Sequence, residues 1–177
     1  MVKAILHGYS GKMGKAVIAS AKDDSEIQIV AGVDKFETET PFPTFTDISL
    51  LNVDADVIID FSTASAVGNL LDYCENTKTP VVLCTTGLSE EMLKKVSDVS
   101  KKVAVLRSAN MSLGVNLLLN LVAEAAKILY EANFDIEIIE KHHNQKIDAP
   151  SGTALALADA ANSALGGELK YIYDRTP

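Results

Sequence analysis

The chain has 177 residues, is 47% hydrophobic, carries a formal net charge of -8 and holds two cysteines. That length and apolar content allow one domain, or a domain with part of a second, and exclude bulk disorder. The acidity, with no cluster of Lys and Arg outside residues 141–146, argues against a nucleic-acid partner.

Cys74 and Cys84 lack the paired spacing of a zinc site or a disulfide framework; they read as buried thiols in a reducing cytoplasm, and no metal is expected. The amino end leads from Met1-Val2-Lys3 straight into a strand-like run at 2–6. No basic segment followed by an apolar stretch of the signal-peptide type is present there, so export is not expected. Short Val/Ile/Leu runs then alternate with amphipathic ones. A helix is predicted from about Lys12, a strand at 27–33, a strand at 57–59 and a helix at 64–76. A strand at 81–83, a helix at 90–100 entered through Ser89 as N-cap, and a strand at 103–106 follow. Near-continuous apolar strands separated by helices suit a parallel sheet covered on both faces, which predicts an α/β, Rossmann-like doubly wound fold for residues 1–108.

Three glycines, Gly8, Gly11 and Gly14, lie between the first strand and the first helix. Their spacing is Gly-x-x-Gly-x-x-Gly rather than the commoner Gly-x-Gly-x-x-Gly. Glycine there permits a tight turn and lets backbone N–H groups approach a pyrophosphate, whose charge the helix dipole favours; a plain strand-to-helix turn is the alternative. The second strand ends at Asp34, about 20 residues on, where a carboxylate meets the adenosine ribose hydroxyls in dinucleotide sites. Lys35 follows it directly. The acid suits the free 2′-hydroxyl of NADH and the adjacent cation the 2′-phosphate of NADPH, so either cofactor is expected; an ordinary solvated loop lysine is the alternative for Lys35.

From Asn110 the pattern changes, and a domain boundary is placed near Ala109. Residues 113–129 form a long apolar run interrupted by Asn116, Asn120 and Glu124 at four-residue intervals, which predicts a core helix with one polar stripe and no membrane span. A strand at 135–140, a loop, a helix from about Thr153 and a strand-like run at 169–173 follow. The loop gathers Lys141, His142, His143 and Lys146 against the negative average of the chain. Ser151 or Thr153 can cap the helix behind it, while Gly152 leaves room for a ligand near backbone N–H groups. Such a loop suits an anion site for a carboxylate, with His142 able to pass protons near neutral pH and Lys146 offering an ammonium; a solvated basic loop before a capped helix is the alternative.

At this point the whole chain resembles the 4-hydroxy-tetrahydrodipicolinate reductase (dihydrodipicolinate reductase) family. The matching segments are Gly8 to Gly14, Asp60-Phe61-Ser62, Thr85-Thr86-Gly87, Ala109-Asn110-Met111-Ser112-Leu113-Gly114-Val115-Asn116 and, most specifically, Glu140-x-His142-His143-x-x-Lys146-x-Asp148-Ala149-Pro150-Ser151-Gly152-Thr153-Ala154. The resemblance implies catalytic roles for His142 (proton donor and acceptor) and Lys146 (proton donor), and substrate contacts from His143, Gly152 and Thr153. It implies cofactor contacts from Gly8, Tyr9, Ser10, Gly11, Lys12, Met13, Asp34, Lys35, Cys84, Thr85, Thr86, Ser108, Ala109, Asn110 and Met111. Cys84 departs from the family's glycine before Thr-Thr-Gly, and Ser108 from a common alanine.

The implied reaction is NADH- or NADPH-dependent reduction of a small cyclic dicarboxylate, 4-hydroxy-tetrahydrodipicolinate, in cytoplasmic lysine and diaminopimelate biosynthesis. The resemblance also implies that residues 109–177 are an α+β substrate-binding and oligomerisation domain, shorter than in the family, whose full-length members form homotetramers. Two strands make a marginal sheet, so a second domain that is poorly ordered or pairs with a neighbour, and low or absent activity, are expected of a chain of this length. Two rival readings are a Rossmann-type NAD(H) sensor without turnover and a reductase of another small oxo or imino acid.

Overall fold

The computed structural model describes all residues except Glu37, Ala109, Gln145, Ile147, Asp148 and 175–177. The chain divides into two compact units, Met1–Ser108 and Ala109–Pro177.

The first unit is a six-stranded parallel sheet of β1 (Val2–His7), β2 (Ile27–Val33), β3 (Thr44–Phe45), β4 (Val57–Asp60), β5 (Val81–Leu83) and β6 (Val105–Arg107). The helices α1 (Lys12–Ala21), α2 (Ala64–Thr77) and α3 (Glu90–Ser100) connect them, with a 3₁₀ turn at Ile48–Leu50. The spatial order β3-β2-β1-β4-β5-β6 reverses direction at β1, which puts the ligand crevice of a doubly wound sheet at the carboxyl ends of β1 and β4. The predicted strands and helices of this unit are present. β3 and the 3₁₀ turn were not anticipated, and the last strand begins at Val105 rather than Val103.

Helix α2 shows why the layers hold. Val67, Leu70, Leu71 and Cys74 recur at helical spacing on one face and are fully buried. They belong to one core with Ile5, Ala31, Val33, Ile58, Val81 and Leu83 from the sheet, and each side chain of this size contributes roughly 1.5–3 kcal/mol on burial. Helix α3 packs Val96 and Val99 into the same core. Its start is fixed by Ser89, whose hydroxyl accepts the Met92 N–H at 3.2 Å, and Glu90 and Glu91 complement the dipole in the first turn.

One transverse row crosses the sheet at its carboxyl edge: Phe45 pairs Val33, Val33 pairs His7, His7 pairs Asp60, Asp60 pairs Leu83 and Leu83 pairs Arg107. Within it Asp60 is completely buried. Its Oδ1 accepts from His7 Nδ1 at 2.8 Å and from the Ser62 N–H at 3.2 Å, and its Oδ2 accepts from the Thr85 hydroxyl at 2.6 Å. Burial alone would raise the Asp60 pKa, but these hydrogen bonds and the attraction of His7 outweigh it and hold the carboxyl below its ordinary value.

The second unit contains α4 (Leu113–Glu131) and α5 (Gly152–Ala164), packed on one another. Two expectations fail here. Neither 135–140 nor 169–173 is a strand: alternation such as Ile136 and Ile138 supplies side chains for a sheet face, but a strand also needs a ladder partner, and among the described residues these runs pair with no strand. Nor is α4 a core helix. Only Ala126 is buried, while Leu113 is 86% and Ile128 69% exposed, because α5 alone is one helix wide and covers one strip of it.

The depressed Asp60 value makes a pH-dependent contribution to stability. It is complete above the ordinary aspartate pKa, near pH 4, and is lost as pH falls through the lower folded-state value, because the unfolded chain then binds the proton first. Asp60→Asn should therefore destabilise the first unit by about 2–4 kcal/mol at neutral pH, with the gap to the parent narrowing below about pH 4. Urea unfolding across that range measures it; a gap independent of pH would contradict the assignment.

Candidate active site

Five of the six strands of the transverse row, all but the short β3, hand directly to a loop residue singled out from the sequence or to its neighbour. His7 is followed by Gly8, Val33 by Asp34, Asp60 by Phe61, Leu83 by Cys84 and Arg107 by Ser108. The glycines of the first loop serve different purposes. Gly8 has φ +82°, and a Cβ there would lie 2.5 Å from the Phe61 carbonyl oxygen. At Gly14 a Cβ would lie 2.3 Å from the Gly8 carbonyl oxygen. Both are required by packing within the protein. Gly11 is different, since its Cβ would meet only Gly8 O, at 3.4 Å; packing does not demand glycine there, and close approach of a ligand would.

Gly11 is the N-cap of α1, and no side chain caps this helix or places a negative charge in its first turn. Helix α2 likewise lacks a side-chain cap, whereas α3, α4 and α5 are closed by Ser89, Ser112 and Ser151. The start of α1, with exposed Lys12 and Met13, thus fits the phosphates of a dinucleotide.

Asp34 is already oriented. Its Oδ2 accepts from the Ser10 hydroxyl at 2.7 Å and the Ser10 N–H at 3.1 Å, and its Oδ1 from the Phe36 N–H at 3.4 Å. Lys35 beside it is exposed. Tyr9 turns its ring inward, 1% exposed and edge-on to Phe42 at 6.2 Å; its hydroxyl donates to Phe36 O and accepts the Thr38 N–H. Only the main chain of Tyr9 is therefore free to face a ligand, which the sequence could not reveal. Cys84 is buried, its thiol pushed up to about 11 by burial and the nearby Asp60 charge, so its side chain is spent on packing. Thr85 is buried with its hydroxyl on Asp60, Thr86 is exposed, and the Ser108 N–H donates to Leu83 O at 3.1 Å. The His7–Asp60 pair was missed from the sequence; a lone acid closing the apolar run 57–59 was its one signal.

In the second unit Ser151, buried, caps α5 by accepting the Ala154 N–H at 3.1 Å. The Ser151 N–H donates to Glu140 Oε1 at 2.8 Å, while Glu140 Oε2 faces His142 Nδ1 at 3.4 Å. The Ser151 hydrogen bonds hold the Glu140 carboxyl below its usual value, with the His142 and Lys146 charges adding to the effect. The chain turns tightly beyond them, Lys146 N–H donating to His143 O at 3.2 Å. Thr153 does not cap the helix; its hydroxyl accepts from Asn110 Nδ2 at 3.3 Å. A Cβ on Gly152 would meet nothing within 4 Å, so the start of α5 is open. Met111 is exposed. Ala109 and Asp148 lie outside the described residues. No cluster of metal-ligating side chains occurs among those described.

Comparison with known proteins shows the family of the chain. The family model for the dihydrodipicolinate reductase N-terminus matches residues 2–111, and that for its C-terminus residues 114–174. The chain is 53% identical to a 4-hydroxy-tetrahydrodipicolinate reductase of Caldanaerobacter subterraneus and 49% identical to one of Clostridium botulinum. In both cases the match covers 99% of this chain and 69% of the relative. Among solved structures, dipicolinate-bound dihydrodipicolinate reductase from Paenisporosarcina sp. TG-14 superposes with a TM-score of 0.78 at 25% identity, over 100% of this chain and 71% of that one. A myo-inositol 2-dehydrogenase from Lactobacillus plantarum shares the fold alone, with a TM-score of 0.56 at 13% identity over 70% of this chain and 41% of that one. The chain belongs to the dihydrodipicolinate reductase family.

Proposed function

We propose that this chain reduces 4-hydroxy-tetrahydrodipicolinate to tetrahydrodipicolinate, with the nucleotide held by the loops of the first unit and the substrate by the His142–Thr153 segment of the second. Family membership makes it an NAD(P)H-dependent oxidoreductase of lysine and diaminopimelate biosynthesis. The observation that carries the division of labour is the pairing of an uncapped, open start at α1 with an open, glycine-bearing start at α5. A sensor that binds NAD(H) without turnover accounts for the first and leaves the second, with its His142 and Lys146, unexplained.

The hydride comes from a reduced nicotinamide. The protein supplies binding, orientation and a proton. Loss of the C4 hydroxyl with a proton from the neighbouring ring carbon, as water, leaves a carbon–carbon double bond conjugated with the imine; a hydride delivered to C4 would push the electron pair of that system toward the ring nitrogen, where a proton is taken up. Donation from His142 or Lys146 stabilises that charge, an effect typically worth ~10²–10⁴-fold. Glu140 orients His142 and ties it to the cap of α5. The dicarboxylate is held by the N–H groups of Gly152 and Thr153 and by His143 and Lys146, and the dipicolinate bound to the Paenisporosarcina relative is of the same chemistry. We place the enzyme in the cytoplasm. Although α4 has the length and composition of a membrane span, it falls inside the match to the C-terminal reductase family, and its exposed Leu113, Leu117, Leu121 and Ile128 suit subunit contacts in a homotetramer.

Either NADH or NADPH serves, with Asp34 on the ribose hydroxyls and Lys35 near the 2′ position. Asp34→Ala should weaken NADH about tenfold, the loss of charge-assisted hydrogen bonds, and NADPH less; equal weakening of both in calorimetry would contradict the assignment. His142→Ala and Lys146→Ala should each leave the melting temperature nearly unchanged, since both side chains lie in a polar loop outside the apolar core. In both variants kcat should fall at least about tenfold. A folded variant turning over at the parental rate would remove that residue from the mechanism.

A further inference from the structure

We infer that His7 is a positioning residue for nucleotide binding, acting through Asp60 on the Thr85–Thr86 turn and on the turn at Ser62. The inference rests on the reading of this sheet edge as the nucleotide site.

His7 is the last residue of β1 and immediately precedes Gly8. Asp60 is acceptor-only in its ionised form, so the shared proton of the 2.8 Å contact sits on His7 Nδ1. The carboxylate then spends Oδ1 on His7 and the Ser62 N–H and Oδ2 on the Thr85 hydroxyl. One buried charge thereby joins the ends of β1, β4 and β5, each of which opens into a loop of the proposed site. Thr85 has no hydroxyl proton left to donate to a ligand. Its side chain faces inward, and its contribution is to hold the main chain that leads to exposed Thr86 and Gly87.

Sheet stability does not require this pair. Phe45, Val33 and Leu83 occupy the same transverse row, and an apolar pair at positions 7 and 60 would avoid the desolvation that burying a carboxylate costs. What an apolar pair cannot supply is directional bonds to two loops at once. Gly8 leaves no slack on the third side, because it lies against the Phe61 carbonyl.

The test is NADH affinity by calorimetry in the full chain, for the parent, His7→Leu, His7→Asn, Thr85→Val and the His7→Leu/Thr85→Val double variant. His7→Leu should weaken NADH about tenfold, as expected for a lost hydrogen bond to a charged partner. His7→Asn, whose amide nitrogen falls near the place of Nδ1, should recover binding to within about threefold of the parent, a small fraction of that hydrogen bond. The double variant should be little worse than the worse single one, since both act on Asp60. A folded His7→Leu with parental affinity overturns the inference, and strictly additive losses overturn the route through Asp60. Failure of the unmutated chain to bind NADH would instead sink the nucleotide site itself, and this inference with it. If His7→Leu does not fold, the ring-nitrogen resonances of His7 in isotope-labelled parent protein decide: they should move on saturation with NADH, and unmoved resonances overturn the proposal.

Discussion

A carboxylate without solvent access has to find its partners inside the protein, and at Asp60 that requirement organises the whole working edge of the first unit. Leaving such a charge unpaired would cost several kcal/mol, so His7, Ser62 and Thr85 must all arrive at the distances observed. The parallel register brings His7 and Leu83 level with Asp60 on either side, and the core of Ile5, Ile58, Leu70 and Val81 beneath keeps the three strands from shifting. Glycine at positions 8 and 14 then allows the first loop and α1 to close down on that edge, where any Cβ would collide with backbone.

The two proposed binding regions use helix starts in different ways. At α1 the N-terminal N–H groups lack a side-chain cap, so an anion can complete the helix. At α5 the cap is Ser151, and Glu140 bridges its backbone N–H to His142. Under the proposed function, ligand charge at α5 would be met beside the cap, at Gly152, and by the basic side chains of the preceding loop. That arrangement fixes His142 beside the start of α5, the place the proposed reduction of a carboxylate-bearing imine would need a proton donor.

The legible parts of this chain were those written in local pattern. Strands 27–33 and 81–83, the Ser89 cap and the three-glycine loop all follow from spacing and residue type over a few positions. β3 has two residues and the 3₁₀ turn three, too few for any period to register. The alternation at 135–140 looked like a strand because side-chain pattern says nothing about a hydrogen-bonding partner, and the apolar run of α4 looked like core because hydrophobicity does not report what covers it. Tyr9 and the His7–Asp60 pair illustrate the same limit from the other side: residues 53 apart in sequence meet at 2.8 Å, and only the strand order puts them together. The family motifs carried the His142–Thr153 segment where physical pattern alone gave an anion site of unspecified purpose.

The central claim is that the nucleotide occupies the loops organised by Asp60. Backbone amide resonances followed during an NADH titration of the labelled chain test it most directly. The account predicts saturable shifts concentrated at Gly8 to Met13, Asp34, Ser62, Thr85 and Thr86, with α3 at Glu90–Ser100 left unchanged. Shifts that fail to saturate, or that cluster on α3 and spare the loops after β1 and β5, would contradict it.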